Sequence, residues 1–413
     1  MITSTSRTLL ASFAFTLAAG CATDPTDDMM SPDPTEEPTP DMPDRPVPAA
    51  GALDATFGNK GIKQLGLGSG YASSLVAQND KLLVCATIID AGANWVIRIA
   101  RLDAHGDLDP TFATDGILEI PQTNYNVTCR SLAVRDDGSF VVAGRVIGQT
   151  GDAVNVWSMD GKTRTKQIGF SGQISKASAG SADSLFSFGT RSGNALAVTS
   201  VSDSAQVTSI APPAVEGSIT RTFERPGIGR IAVGSFGQSG NYYWGILQQS
   251  PDDAAKLTPG DELVQSAGGT ANLMTDAIEL PDGSLFAVGA VGTGEAVMVA
   301  RFELGASTSA THHEHARGAG AMAYGVALDG EGRPVVVGSA NVSGRQVFGW
   351  QRYEATSTTL DTSYQKDGLA ALAPPSGQGE LTAVARLGGK LYLLGQYDVE
   401  TAEPKLALVR IHE

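Results

Sequence analysis

Residues 131–144 read Ser131-Leu132-Ala133-Val134-Arg135-Asp136-Asp137-Gly138-Ser139-Phe140-Val141-Val142-Ala143-Gly144, and this stretch decides the fold. A strand-like segment, an Asp-Asp-Gly turn and a short apolar run make two antiparallel strands joined tightly. The run from Phe140 does not alternate, which predicts a strand covered on both faces. It recurs as Ser184-Leu185-Phe186-Ser187-Phe188-Gly189, Arg230-Ile231-Ala232-Val233-Gly234 and Ser284-Leu285-Phe286-Ala287-Val288-Gly289. Further copies are Arg333-Pro334-Val335-Val336-Val337-Gly338, Lys390-Leu391-Tyr392-Leu393-Leu394-Gly395 and a degenerate Lys81-Leu82-Leu83-Val84-Cys85-Ala86 with alanine in place of the closing glycine. That glycine allows two backbones to approach closely.

Another strand-like segment follows each run, as in Trp95–Leu102, Ala153–Trp157, Ala296–Phe302, Val347–Tyr353 and Leu406–Ile411. Three strands per unit are readable, with a weaker fourth. Seven such units with little helical pattern predict an all-β fold, a β-propeller of seven four-stranded blades. The units at 160–265 are the least regular, so the blade count rests most on them.

The fourth strand has its own lead-in of Leu, Asp, any residue, Thr or Ser, and an aromatic, with glycine four residues later. The copies are Leu53-Asp54-Ala55-Thr56-Phe57 with Gly61, Leu108-Asp109-Pro110-Thr111-Phe112 with Gly116, and Leu360-Asp361-Thr362-Ser363-Tyr364 with Gly368. The first copy precedes the first unit, whereas the last unit ends at Glu413 after its third strand. The N-terminal segment is therefore expected to supply the missing outer strand of the last blade and to remove two exposed sheet edges. The lead-in, the Asp-Gly turn and the Val-Val-Ala-Gly strand resemble the delta-60 repeat of bacterial proteins. The resemblance is sharp at 51–145, clear at 273–413 and poor at 160–265. It implies a propeller-like array and no settled chemistry.

Residues 1–20 carry one basic residue, Arg7, then an apolar stretch from Leu9 to Ala19, the layout of a secretory signal. The stretch is shorter than the roughly 20 residues of a membrane span. Leu17-Ala18-Ala19-Gly20-Cys21 resembles a bacterial lipobox, which implies cleavage before Cys21 and acylation of its thiol. The alternative is an ordinary signal with an incidental cysteine. Ala22, where an aspartate would imply inner-membrane retention under the enterobacterial sorting rule, implies a lipid-anchored outer-membrane protein. Residues 21–50 hold eight carboxylates against the single Arg45, so seven of the fifteen net negative charges lie there, with prolines throughout. Such a segment reads as an extended acidic tether, leaving 51–413 for the propeller. No lysine-arginine cluster is present, which argues against nucleic acid as a partner.

Cys85 and Cys129 fall in neighbouring units and are either a disulfide between blades or two buried thiols. Asp54, Asp109 and Asp361 fit Asx-type turns with an aromatic plug better than an incomplete calcium loop. His312, His313 and His315 are the densest metal-like group, but no further ligand lies near in sequence, and a solvated outer strand or loop is the plainer reading. No metal or cofactor is expected. There is no nucleophile elbow, phosphate loop or His-Glu-x-x-His helix. Ligands of propellers sit at a channel mouth, which directs attention to Tyr71, Tyr125, Phe236, Tyr242, Tyr243 and Tyr324, either as ligand-face aromatics or as core plugs. The expected function is a non-catalytic binding or scaffold module for a protein or glycan partner. The alternative is a hydrolase or lyase acting on an extracellular polymer at the channel mouth.

Overall fold

The computed structural model describes residues 48–120, 126–147, 152–170, 173–176, 178–179, 186–192, 195–201, 207–210, 216–225, 228–238, 241–250, 257–259, 264, 272–291, 296–304, 308–316, 321–365 and 367–413. It divides into two units, Met1–Val47 and Pro48–Glu413, and everything described belongs to the second. The expected signal sequence, Cys21 and nearly all of the expected tether lie outside the described residues.

Among the described residues every regular element is a strand, and the strands form seven separate antiparallel sheets arranged as a β-propeller. In chain order the sheets begin with first strands Gly70–Gln78, Asn126–Val134, Gln173–Ile174 with Ser178–Ala179, Glu216–Arg225, Asn272–Glu279, Ala323–Leu328 and Gly379–Leu387. Each first strand contacts the first strand of the next sheet, and Gly379–Leu387 contacts Gly70–Gln78. Residues 160–265 contribute two of these sheets, one from strands within 173–210 and one from strands within 216–259.

Among the described residues, apolar clusters lie between neighbouring sheets. Leu83, Cys85, Ile97 and Phe112 of the first repeat pack with Val127, Leu132, Phe140 and Val142 of the second. Leu196, Val198 and Ile210 of the third sheet pack with Ile219, Ala232 and Phe236 of the fourth. The second strands are covered on both sides, and Leu285–Val291 is buried along its whole length. Continuous apolar sequence there follows from having a neighbouring sheet on either face.

The seventh sheet has the order Gly379–Leu387, Lys390–Tyr397, Lys405–His412 and then Ile62–Leu65. The N-terminal strand pairs antiparallel with the C-terminal one, Ile62 opposite Val409 and Leu65 opposite Leu406. Chain ends that would each leave an edge instead satisfy one another's backbone groups.

The lead-in motif forms one structure three times. Asp54, Asp109 and Asp361 each accept a backbone and a hydroxyl hydrogen bond from the residue two positions on, Thr56, Thr111 or Ser363. The aromatic that follows, Phe57, Phe112 or Tyr364, is fully buried. An arginine near the end of the third strand then completes each copy. Arg410, Arg101 and Arg352 pair with the aspartate at 3.1, 2.9 and 2.7 Å. Their guanidiniums lie 4.6, 4.9 and 4.3 Å from the centre of the aromatic ring. Burial would raise the Asp361 carboxyl, but its Ser363 bonds and Arg352 outweigh that and hold it below the usual range. The aspartates are occupied as turn acceptors and ion-pair partners.

Candidate functional site

The first strands enclose a cavity of about 520 Å³ to which all seven sheets contribute. Register shifts in six of these strands bulge out one residue each, at Ser73, Arg130, Thr220, Thr275, Tyr324 and Thr382. A bulge bends the strand and re-aims the extra side chain. In the third sheet the first strand is broken between Ile174 and Ser178, and Lys176 lies in the gap. The alternating pattern of each strand could not mark this position, because a bulge breaks the alternation that defines it. A polar or charged residue inside the first apolar run of each repeat was the available signal.

The charged centre of the cavity is Asp276. Its carboxylate accepts Arg221 Nη1 at 2.8 Å and Lys176 Nζ at 3.0 Å. It also accepts the backbone N–H of Ala277 at 3.0 Å and of Val326 at 3.4 Å. One carboxylate thus joins residues of the third, fourth, fifth and sixth sheets. Lys176 additionally donates to the Tyr324 carbonyl at 3.2 Å, and Arg221 to that of Ala277 at 3.2 Å. Burial would raise the Asp276 carboxyl, yet Lys176 and Arg221 hold it below the ordinary range. Burial lowers Lys176, with Asp276 opposing and Arg221 reinforcing the shift. The aspartate is ionised and its acceptors are filled, which suits a clasp across the channel.

Of the residues singled out from sequence, Tyr324 sits at its bulge beside the channel, with its hydroxyl 3.3 Å from Met322 Sδ. Burial and the nearby Glu380 push its phenol well above the usual value. Tyr71 lines a second cavity, of about 440 Å³, between the first and second sheets. Phe236 takes the place of a core plug: it is 4% exposed and packed with Leu196, Val198 and Ile219. The second strand of the fourth sheet carries it into the interface with the third sheet. Tyr243, opposite Phe236, is half-buried, and Tyr242 stands opposite Gly237 with its side chain outside the described residues. Tyr125 also lies outside them.

Cys85 and Cys129 are joined as a disulfide with their Cα atoms 6.3 Å apart, linking the second strand of the first sheet to the first strand of the second. His312, His313 and His315 lie on Ser309–Ala316, the outer strand of the fifth sheet. His313 Nδ1 is 2.6 Å from Thr358 Oγ1, and its ring stacks on His315. No group of three metal-ligating side chains converges among the described residues. The arginines of the lead-in units escaped the sequence reading, although Ala100-Arg101-Leu102, Gln351-Arg352-Tyr353 and Val409-Arg410-Ile411 repeat at equivalent places.

No family model matches the chain, and no curated protein matches it in sequence. Solved structures do match in shape. A catalytically inactive virginiamycin B lyase from Staphylococcus aureus with quinupristin is 10% identical, with TM-score 0.55, over 84% of this chain and 98% of that one. Hydrazine synthase from Kuenenia stuttgartiensis is 14% identical, with TM-score 0.54, over 85% of this chain and 97% of that one. At these identities the likeness is one of fold.

Proposed function

We propose that the protein is a non-catalytic binding module, held at the outer membrane through acylated Cys21 and raised on the acidic segment 21–50. In this reading the seven sheets are the blades of one closed ring of delta-60 repeats. The face at which the first strands start receives an envelope protein or glycan. The observation that carries the proposal is the Asp276 clasp. Its carboxylate accepts Lys176, Arg221 and two backbone amides, so the most buried charged group of the channel is committed to holding sheets together rather than to moving protons. A rigid scaffold with a mouth of about 280 Å³ above that clasp, lined by Arg130, Ser175, Thr220 and Thr275, suits capture of a ligand or partner.

In-cell crosslinking with mass-spectrometric identification tests this reading, with Cys21→Ala as the control that removes the anchor. Recurrent crosslinks from one face to one envelope component, lost in the control, are the expected result. Crosslinks scattered over the surface and unchanged by the control would overturn it.

A further inference from the structure

We propose that the cleft between the first and second sheets binds a carboxylate-bearing sugar ring, a uronate unit of an acidic glycan. This deepens the binding-module reading and rests on it. The cleft encloses about 440 Å³, within the range of small-molecule sites. Tyr71, early in the first strand of the first sheet, and Trp95, heading its third strand, form one wall, and Arg130 and Arg145 of the second sheet belong to the same lining.

The aromatic pair defines the shape of the occupant. The Tyr71 and Trp95 rings are 6.2 Å apart and inclined at 54°. Two parallel faces would sandwich a flat base, whereas two oblique faces suit the puckered C–H surface of a pyranose. Both side chains are half-buried and both line the cleft. Trp95 is held by the bond from its backbone N–H to Asn126 Oδ1 at 2.9 Å, which crosses from one sheet to the other.

Charge defines the substituent. The chain carries a net charge of −15, yet no residue lining this cleft is acidic, among those described, and two are arginines. Arg130 is exposed at its bulge and also lines the mouth of the central channel. Arg145 forms no ion pair among the described residues. A guanidinium matches a planar carboxylate through two parallel N–H donors, which a neutral sugar cannot use. The ring hydroxyls have Ser73 and Thr128 in the same lining. The Cys85–Cys129 bridge and the Cys129 N–H bond to Thr87 Oγ1 at 3.0 Å tie the two walls together, so the cleft is formed before any ligand arrives.

The protein carries its own probe. Of its four tryptophans, Trp157, Trp244 and Trp350 are buried, so a ligand-induced fluorescence change reports on Trp95. The full-length chain in detergent is titrated with D-glucuronate and D-galacturonate, against D-glucose, acetate and adenosine monophosphate. Saturable changes with a uronate are expected, with glucose, which lacks the carboxylate, and acetate, which lacks the ring that would lie on the aromatics, each binding at least about tenfold more weakly; for glucose the factor is typical of losing one charged hydrogen-bond pair. Arg130→Gln with Arg145→Gln should weaken uronate binding by at least about tenfold while thermal unfolding stays unchanged. Trp95→Phe should abolish the optical signal and leave calorimetric binding in place. No saturable uronate response by either method, unchanged binding in the double variant, or tighter binding of adenosine monophosphate would each overturn the assignment. A crosslinked envelope partner found without any uronate response would sink this inference alone and leave the binding module standing.

Discussion

Replacing Arg352 with methionine should cost about 4 kcal/mol of stability, the middle of the range for removing one partner of a buried ion pair. Arg352 is 3% exposed and bonds Asp361 through Nη2 at 2.7 Å and Nε at 2.8 Å, and Asp329 through Nη1 at 3.3 Å. It also covers the Tyr364 ring at 4.3 Å. Its loss would leave two carboxylates, 4% and 1% exposed, with Arg333 as their remaining ion-pair partner among the described residues. The penalty comes from the charges left behind, so Asp361→Asn added to Arg352→Met should recover part of it, by at least about 1 kcal/mol in a double-mutant cycle. The control is Asp107→Asn, which breaks the exposed Lys63 pair and should stay within about 1 kcal/mol of wild type. Urea unfolding followed by tryptophan fluorescence reads all five proteins, the wild type, the two single variants and double variant of the cycle, and the control, since Trp350 is buried in the same cluster as Tyr364. A loss from Arg352→Met no larger than from Asp107→Asn, or additive effects in the cycle, would refute the view that this buried pair organises the repeat.

Acid should destabilise the propeller through the same motif. Burial would raise Asp54, Asp109 and Asp361, but their Thr or Ser bonds and arginines hold all three below the usual carboxylate range. A depressed folded-state value contributes stability above the unfolded value of about 4 and loses it as pH falls, so stability should drop below about pH 4, less steeply in Asp109→Asn. Gly338→Ala should destabilise by about 2 kcal/mol or more in the same urea assay, because an added Cβ would stand 1.8 Å from the Met322 carbonyl oxygen. An unchanged midpoint would show that the sheet relaxes freely there. Cys129→Ser should cost about 4 kcal/mol on the chain-entropy estimate for a bridge spanning 44 residues. An unfolding midpoint insensitive to reductant in the wild-type chain would contradict this.

The repeat was legible because each second strand is buried on both faces and must be apolar throughout, as Phe140–Ile147 and Leu285–Val291 are over most or all of their length. The strand that seals the ring was legible because Leu53–Phe57 repeats a lead-in otherwise found inside the chain. The outer strands Arg164–Phe170, Val207–Ile210 and Leu257–Pro259 were not, since an outermost strand has one free edge and no strong demand on its sequence. The choice between a ligand face and a core plug at Phe236 was not legible either, since an aromatic looks alike whether its strand ends at a mouth or continues into an interface.

Composition and periodicity therefore determined by themselves the all-β repeat, the paired chain ends and the aspartate turns with their aromatic plugs, all of which depend on contacts within one repeat or its copy. Tertiary structure alone decided the ion clasp of Lys176, Arg221 and Asp276 and the cleft of Tyr71, Trp95, Arg130 and Arg145. Those groups come from different sheets and meet only when first strands lie side by side around a common channel. Their register there is set by bulges, single extra residues that leave no periodic trace in the chain.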